Sequence, residues 1–442
     1  MRSGGLTSRR RFLSVLGAGT LSIVGATGQT ASAETERSNW AYDTGEGFWD
    51  SSPTVVNGTV FAAGTETLYA IDANAGTERW VHEFDHLGTS SPAVVDGTVF
   101  VGDQNGVVTA LDAETGAERW AFETDDVVDS SPTVVDGTVF VGSWDDSVYA
   151  IDAETGIERW SVETHEGVVS SPVVTGGVLY VGSMDGRLYA LDAATGTEQW
   201  RFETDGPINA SPTVASGTVF VPSFDRHLYA LDAKTGTEQW SVELHPPIDW
   251  DFGGYTGRLR SSPTVANGTV YVGSFGKALH ALDAETGALE WHFESEHVFQ
   301  SSPTVVSDTV FVGSNSGGVV ALDTADGSTR WADENAPSVS ASPTVADGTV
   351  FVVDYDGVIH ALDADVIGSG EGSRARLGTL GHHGSWQYAD QEIDIPGGLL
   401  MTARRSLQDP GIPELLVGGG IVGSAGFLAH KKWNRSRPGE NG

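Results

Sequence analysis

A single unit of about 40 residues, written eight times, limits this chain more than any other feature. Its clearest copy reads SSPTVVDGTVFVGSWDDSVYAIDAETGIERWSVET over residues 130–164. The proline of the unit recurs at Pro53, Pro92, Pro132, Pro172, Pro212, Pro263, Pro303 and Pro343, with intervals of 39, 40, 40, 40, 51, 40 and 40. For a chain of 442 residues, length alone implies two or three domains, but repeats can share one continuous core and override that prior.

Each unit reads as four short strands. SPTVV is the first and TVFVG the second, joined by Asn57-Gly58, Asp96-Gly97, Asp136-Gly137, Asn267-Gly268 or Asp347-Gly348. Asn-Gly and Asp-Gly tolerate the positive φ that a type I′ hairpin demands. LYALDA is the third strand, and ERW opens the fourth after a turn carrying Thr-Gly. Short strands with turns every eight to twelve residues indicate an all-β array. Four strands per 40-residue period indicate the blade of a propeller rather than the coil of a solenoid. The expected fold is therefore all-β, a closed eight-bladed β-propeller of four-stranded blades.

The third-to-fourth strand segment carries a more specific pattern. Ala70, Gly76 and Trp80 stand at its first, seventh and eleventh places, and the segments ending at Trp120, Trp160, Trp200, Trp240, Trp291 and Trp331 repeat it. This resembles the tryptophan-docking motif of the quinoprotein dehydrogenase and pyrroloquinoline-quinone (PQQ) repeat family. The resemblance implies that each Trp packs between neighbouring blades against the Ala and Gly, with the motif Asp helping to fix the turn. The eighth unit begins the motif at Ala361 but has no Gly or Trp to finish it, whereas Trp40 lies 40 residues before Trp80. The strand around Trp40 is thus expected to complete the last blade, removing the open edges that invite aggregation.

The family resemblance also carries an enzyme. Quinoprotein dehydrogenases hold PQQ beneath a vicinal disulfide and over an axial Trp, with Ca²⁺ and a catalytic Asp. This chain has no cysteine and lacks long inserted loops. Non-catalytic relatives with regular repeats include the propeller lipoprotein of bacterial outer-membrane assembly. The regularity of this chain favours that ligand-binding or protein-interaction branch. A PQQ- and Ca²⁺-dependent dehydrogenase of alcohols or sugars is the alternative.

Candidate site residues lie where the repeat varies. Loops from second to third strand and from fourth to the next first strand should share one face. After the VGS-like corner stand Trp144, Met184, Phe224, Phe275, Asn315 and Tyr355. Unlike residues at a repeated position are what a binding surface needs. The one insertion, 241–262, falls on the same face with Pro246, Pro247, Trp250, Phe252, Tyr255, Arg258 and Arg260. It reads as a ligand or partner contact, or as a cover for the channel mouth. Three residues before the prolines stand Asp50, Thr89, Asp129, Val169, Asn209, Arg260, Gln300 and Ser340, expected to ring the mouth. The plainest reading of that ring is a solvated rim. In the functional reading, Asp50, Asp129 and Asn209 offer oxygens to a Ca²⁺-like ion, and Arg260 with Gln300 holds a carboxylate. The tryptophans Trp40 to Trp331 of the docking motif are structural.

Composition narrows location and partners. Sixty Asp and Glu against 24 Lys and Arg give a formal charge of −36, spread over every repeat. Such a surface disfavours nucleic acid, whose phosphates need a basic face. It fits a halophilic protein, because at about 1 M salt the Debye length is roughly 3 Å and self-repulsion is screened. Without cysteine, disulfides, thiolate metal sites, cysteine nucleophiles and lipid attachment at a cysteine are closed off. Residues 1–33, with Arg9, Arg10 and Arg11 before an apolar run and Ala31-Ser32-Ala33, resemble a twin-arginine (Tat) export signal.

Residues 38–364 form the propeller, and 365–411 a linker or stalk, broken at Pro396-Gly397-Gly398. Residues 412–432 read as a membrane anchor or sorting segment, and 433–442 as a basic tail. The uncharged run Leu415 to Ala429 would span about 22 Å as a helix, short of a hydrocarbon core of about 30 Å, yet Lys431 and Lys432 suit a cytoplasmic flank. Pro410-Gly411 resembles the start of archaeal surface-sorting tails, with Ile412 where those have Phe. The chain is expected to be a monomer. His382-His383 reads as a surface pair, and the sequons at Asn57, Asn209 and Asn267 are plausible in an exported protein. Turn chemistry accounts for Asn57 and Asn267 without a sugar, and for Asp185-Gly186 and Asp356-Gly357 without calcium.

Overall fold

In the computed structural model, the described residues are 37–244, 259–274, 277–315, 317–333 and 338–367. They form eight four-stranded antiparallel sheets arranged as a closed propeller. Blade 1 runs outward from the axis through Thr54–Val56, Thr59–Ala63, Thr67–Asp72 and Glu78–Glu83. Blades 2 to 7 repeat this order. Blade 8 consists of Thr344–Ala346, Thr349–Val353 and Val358–Asp363, and its outermost strand is Ser38–Asp43 from the other end of the chain. Trp40 pairs with Ala361, as the sequence leads one to expect.

The first hairpins follow their turn residues. Asn57 and Gly58 have φ of 50° and 70°, Asp136 and Gly137 49° and 69°, so both central positions are left-handed, as a type I′ turn requires. Ser216-Gly217 and Gly176-Gly177 do the same work without Asn or Asp.

Between blades, apolar side chains of adjoining sheets interdigitate. Phe61, Ala70 and Trp80 of blade 1 pack with Val94, Val99 and Leu111 of blade 2, and the pattern continues around the ring. The docking tryptophans behave as the family resemblance implies. Trp80 Nε1 donates to the Ala113 carbonyl at 3.0 Å, and its ring lies so close to Gly116 that a Cβ there would sit 2.6 Å from Trp80 Cε3. Trp40 repeats this on Ala73 and Gly76 of blade 1, with an Nε1–O distance of 2.9 Å. Trp120, Trp160, Trp200, Trp240 and Trp291 do so on blades 3 to 7. Blade 8 has no docking glycine. There Trp331 reaches the Ala364 carbonyl at 3.4 Å, and the guanidinium of Arg37 covers its ring at 4.6 Å. The motif Asp caps the turn: Asp72 Oδ1 accepts the N–H groups of Asn74 and Ala75 at 3.0 and 2.9 Å.

The innermost strand differs from the expected SPTVV. It is three residues long and starts after the proline, at Thr54 in blade 1 and Thr133 in blade 3. Proline has no N–H for the ladder, and the serines before it bond to the neighbouring blade instead. Ser52 N–H donates to Ser91 Oγ, Ser91 to Ser131, Ser131 to Ser171 and Ser171 to Ser211; Ser211 donates to Ser262, Ser262 to Ser302, Ser302 to Ser342, and Ser342 back to Ser52. These eight bonds of 2.9–3.0 Å close a belt around the axis. Beside it, six threonines donate to the next blade's proline carbonyl, Thr54 to Pro92 and Thr344 to Pro53 among them, at 2.6 and 2.7 Å.

Candidate functional site

The residues three before each proline form a ring two positions upstream of the belt. They are not a solvated rim. Asp50, Asp129 and Asn209 are each 1 % exposed, Arg260, Gln300 and Ser340 3 %, Val169 2 % and Thr89 7 %. The reason lies in the loops. Trp144, Met184, Phe224 and Tyr355, which follow the second strand, fold onto the ring instead of presenting an outward surface.

Trp144 Nε1 donates to Asp129 Oδ2 at 2.7 Å. Thr89 Oγ1 and Gln104 Nε2 both donate to Asp129 Oδ1 at 2.5 Å. Tyr355 OH donates to Asp50 Oδ1 at 2.9 Å, from blade 8 onto the first residue of the ring. Burial pushes the Tyr355 hydroxyl well above the ordinary tyrosine range, and the Asp50 charge adds to the shift while Arg260 opposes it. Met184 packs against Val169 and Trp144, and its Sδ lies 3.9 Å from Asn209 Nδ2. The guanidinium carbon of Arg260 is 5.7 Å from the ring centroid of Phe224.

The ring has two unlike arcs. On the Asp50–Asp129 side, carboxylates accept from hydroxyl, amide and indole donors of this chain. On the side of blades 5 to 7, Asn209 Oδ1 and Gln300 Oε1 are buried acceptors with no donor among the described residues. Arg260 stands between them in ring order.

Asp50, Asp129 and Asn209 belong to blades 1, 3 and 5 and hold separate partners. Among the described residues, no group of three or more His, Asp or Glu side chains is placed to bind a metal ion. Trp250, Tyr255, Arg258 and Phe275 lie outside the described residues, as do His382-His383, residues 1–36 and everything after 367. What is described of 241–262 is ordinary: Ser241 lies within the outermost strand of blade 5, which ends at Glu243, and Leu244 and Leu259 are buried. Asn315 is half-buried, its main-chain carbonyl accepting from Ser338 Oγ at 2.7 Å. The sequon at Asn209 is a buried ring residue, whereas Asn57 and Asn267 are exposed in their hairpin turns.

Sequence reasoning missed Gln104 and the role of the serines. It also missed a bracing pair in the loops: Asp145 accepts from Tyr149, Asp185 from Tyr189 and Asp225 from Tyr229, at 2.6–2.7 Å. The i, i+4 Asp–Tyr spacing in three successive units was the available signal. In blade 1 Glu46 takes that place, accepting from Tyr69 at 2.6 Å.

No curated protein sequence matches the chain. Among solved structures, BamB from Moraxella catarrhalis superposes with a TM-score of 0.64 at 19 % identity, covering 74 % of this chain and all of that one. The quinohemoprotein alcohol dehydrogenase ADHIIG from Pseudomonas putida HK5 gives 0.60 at 18 % identity, covering 75 % of this chain and 77 % of that one. Sqt1 from Saccharomyces cerevisiae gives 0.63 at 14 % identity, covering 74 % and 99 %. At these identities the likeness is one of fold. The family model described as "Outer membrane protein assembly factor BamB" matches residues 65–171, 163–249, 243–339 and 276–369, well over half of the chain. On that match, with its tryptophan-docked blades, the chain belongs to the BamB-like family of PQQ-repeat propellers.

Proposed function

We propose that this protein is an exported propeller scaffold, held at the cell surface by its C-terminal segment, that binds a protein partner or small ligand on the face carrying the ring. One observation carries the reading: eight chain segments with a uniform belt present eight side chains that are mostly unlike one another, just upstream of it. A scaffold needs the first, and selective binding needs the second.

The dehydrogenase reading asks for PQQ, a planar tricarboxylate quinone, with Ca²⁺. The residues of the ring do not fit that group. Asp129 is occupied by three donors of its own chain, Asp50 by Tyr355, and Trp144 is turned to Asp129 rather than lying as an open plate. Incubation with PQQ and Ca²⁺ in molar KCl, then gel filtration and dye-linked assays on alcohols and sugars, is expected to leave no cofactor absorbance and no turnover. Retained absorbance with turnover would overturn the scaffold reading. Export rests on the twin arginines: Arg9→Lys with Arg10→Lys should leave an uncleaved precursor in the cytoplasm, and normal secretion of that variant sinks the assignment. The acidic surface belongs to the same proposal, with a protein that loses its fold on dialysis into millimolar salt.

A further inference from the structure

We infer that Asn267, at the tip of the first hairpin of blade 6, carries an N-linked glycan, and that Asn57 and Asn209, which begin the same kind of three-residue motif, do not. The inference rests on the export reading above, because such a motif is an acceptor on the surface of exported proteins.

The turn accepts asparagine without asking for it. In the other blades the same left-handed position is held by Asp96, Asp136, Gly176, Ser216, Ser307 and Asp347, with φ between 48° and 58°. Blades 1 and 6 alone place a neutral carboxamide there, two residues before Thr59 and Thr269. The third motif is closed at both ends. Asn209 is 1 % exposed in the ring, and Ser211 Oγ accepts the N–H of Ser171 in the belt.

Asn57 and Asn267 are both exposed, and the residue before the docking Trp separates them. In blade 1, Arg79 Nη1 donates to Thr59 Oγ1 at 2.6 Å, while Nη2 donates to the Gly58 carbonyl at 3.1 Å and to Asp72 Oδ2 at 2.8 Å. One guanidinium thereby clamps the second and third residues of the motif, and Gly58 is half-buried. Blade 6 has Glu290 at that place, which offers no fork. Thr269 Oγ1 donates to Glu290 Oε2 at 3.0 Å, a bond to an exposed carboxylate. Gly268 is exposed, with nothing within 4 Å of a Cβ placed on it. A transferase must reach the carboxamide and the hydroxyl two residues on together. Freeing Thr269 exchanges one exposed bond for water, whereas freeing Thr59 breaks a charge-assisted clamp.

The transfer joins Asn267 Nδ2 to the anomeric carbon of a polyprenyl-phosphate-linked oligosaccharide. The bond from that carbon to the phosphate oxygen breaks, the lipid phosphate leaves, and the amide proton passes to a base of the transferase. The turn lies at the far end of the strand Thr264–Ala266 from the ring residue Arg260. A glycan there stands on the face opposite the ring and leaves the ring face clear.

The test is glycopeptide mass spectrometry of the full chain expressed in a halophilic archaeal host that glycosylates its surface proteins. Occupancy at Asn267 should exceed that at Asn57 at least about tenfold, with none at Asn209. Asn267→Asp, which installs the turn residue of blades 2, 3 and 8, should remove the glycan mass and fold as the parent does. Arg79→Gln, matching Gln199 and Gln239 of blades 4 and 5, releases Thr59 and should raise occupancy at Asn57 about tenfold. Exported protein that begins at Glu34 and has no sugar at Asn267 overturns the inference, as does equal occupancy at Asn57 and Asn267 in the parent. An Arg79→Gln variant still bare at Asn57 overturns the clamp as its cause. Protein retained inside the cell with residues 1–33 attached overturns the export reading, and the inference with it.

Discussion

The serine belt and the ring of mostly unlike side chains are made by the same eight chain segments, two residues apart, yet they obey opposite rules. In the belt every blade must offer the same hydroxyl to the same main-chain N–H of its neighbour, so Ser52 through Ser342 are invariant along the chain. In the ring, side chains meet side chains, and only local complementarity matters. Asp129 is served by Thr89 from one blade, Gln104 from the same blade's loop, and Trp144 from its own. Repetition thus marks backbone geometry that all blades share. Variation marks positions released from it, where a ligand or partner can be met.

The most severe way to break the comparison is to open the circle. The belt closes through Ser342 to Ser52, and the outer sheet of blade 8 closes through Ser38–Asp43. Deleting residues 37–46 leaves the belt intact but strips blade 8 of its outer strand and Gly76 of its Trp40 cover. We expect loss of the cooperative melting transition at any salt concentration. A deletion variant that melts like the parent would show that the belt alone closes the ring.

The outer girdle provides the next test, through two glycines with the same backbone and different neighbours. Gly156 and Gly97 both have φ of +71°, but a Cβ on Gly156 would lie 2.8 Å from Trp120 Cδ2, while nothing lies within 4 Å of one on Gly97. Both Gly→Ala variants incur the left-handed backbone cost of about 1–2 kcal/mol. Gly156→Ala adds overpacking against Trp120, for a total of about 3 kcal/mol. Equal denaturant midpoints for the two would refute tryptophan docking as the reason for the glycine.

Substitution across belt and ring sharpens the contrast itself. Ser131→Ala and Ser302→Ala each remove one belt bond and should cost about 1 kcal/mol apiece, alike whichever blade is chosen. Asp129→Asn turns an amide toward donors from Thr89, Gln104 or Trp144 and should cost about 2 kcal/mol, a value peculiar to that blade. Belt values scattered as widely as ring values would erase the distinction.

The fold was open to sequence reasoning because its determinants are periodic and local. Asn57-Gly58 dictates a hairpin, and Ala70, Gly76 and Trp80 dictate a dock. The absence of a Trp after Ala361, beside the lone Trp40, dictates ring closure. The site was less legible. Position named Asp50, Asp129, Asn209, Arg260 and Gln300, but burial could not be read, since it depends on which loop side chains fold back, and Trp144 and Tyr355 carry no mark of direction. The serines were overlooked for the opposite reason. Their partners lie 40 residues away, and a constant residue offers no variation to interpret.

Variation among them was present all the same. The first serine of the pair caps the end of the second strand. Ser90 Oγ accepts from Gly102 N–H, Ser130 from Gly142, Ser170 from Gly182 and Ser261 from Gly273, at 3.0–3.1 Å. Blade 5 has Ala210 in place of the serine and Pro222 in place of the glycine, blade 8 has Ala341 and Val353, and blade 1 keeps Ser51 but has Ala63. A proline has no N–H to satisfy, so in blade 5 the hydroxyl is dispensable and the two exceptions form one change, whereas Val353 of blade 8 keeps its N–H beside Ala341. Pro222→Gly alone exposes a buried N–H without an acceptor, and Ala210→Ser alone buries a hydroxyl opposite a residue that cannot donate. The double variant rebuilds the bond seen in blades 2, 3, 4, 6 and 7. Its stability should exceed the sum of the single effects by about 1 kcal/mol in a double-mutant cycle of denaturant midpoints. Additive effects would mean that blade 5 departs from its neighbours at two unrelated positions, and the proline would not explain the missing serine.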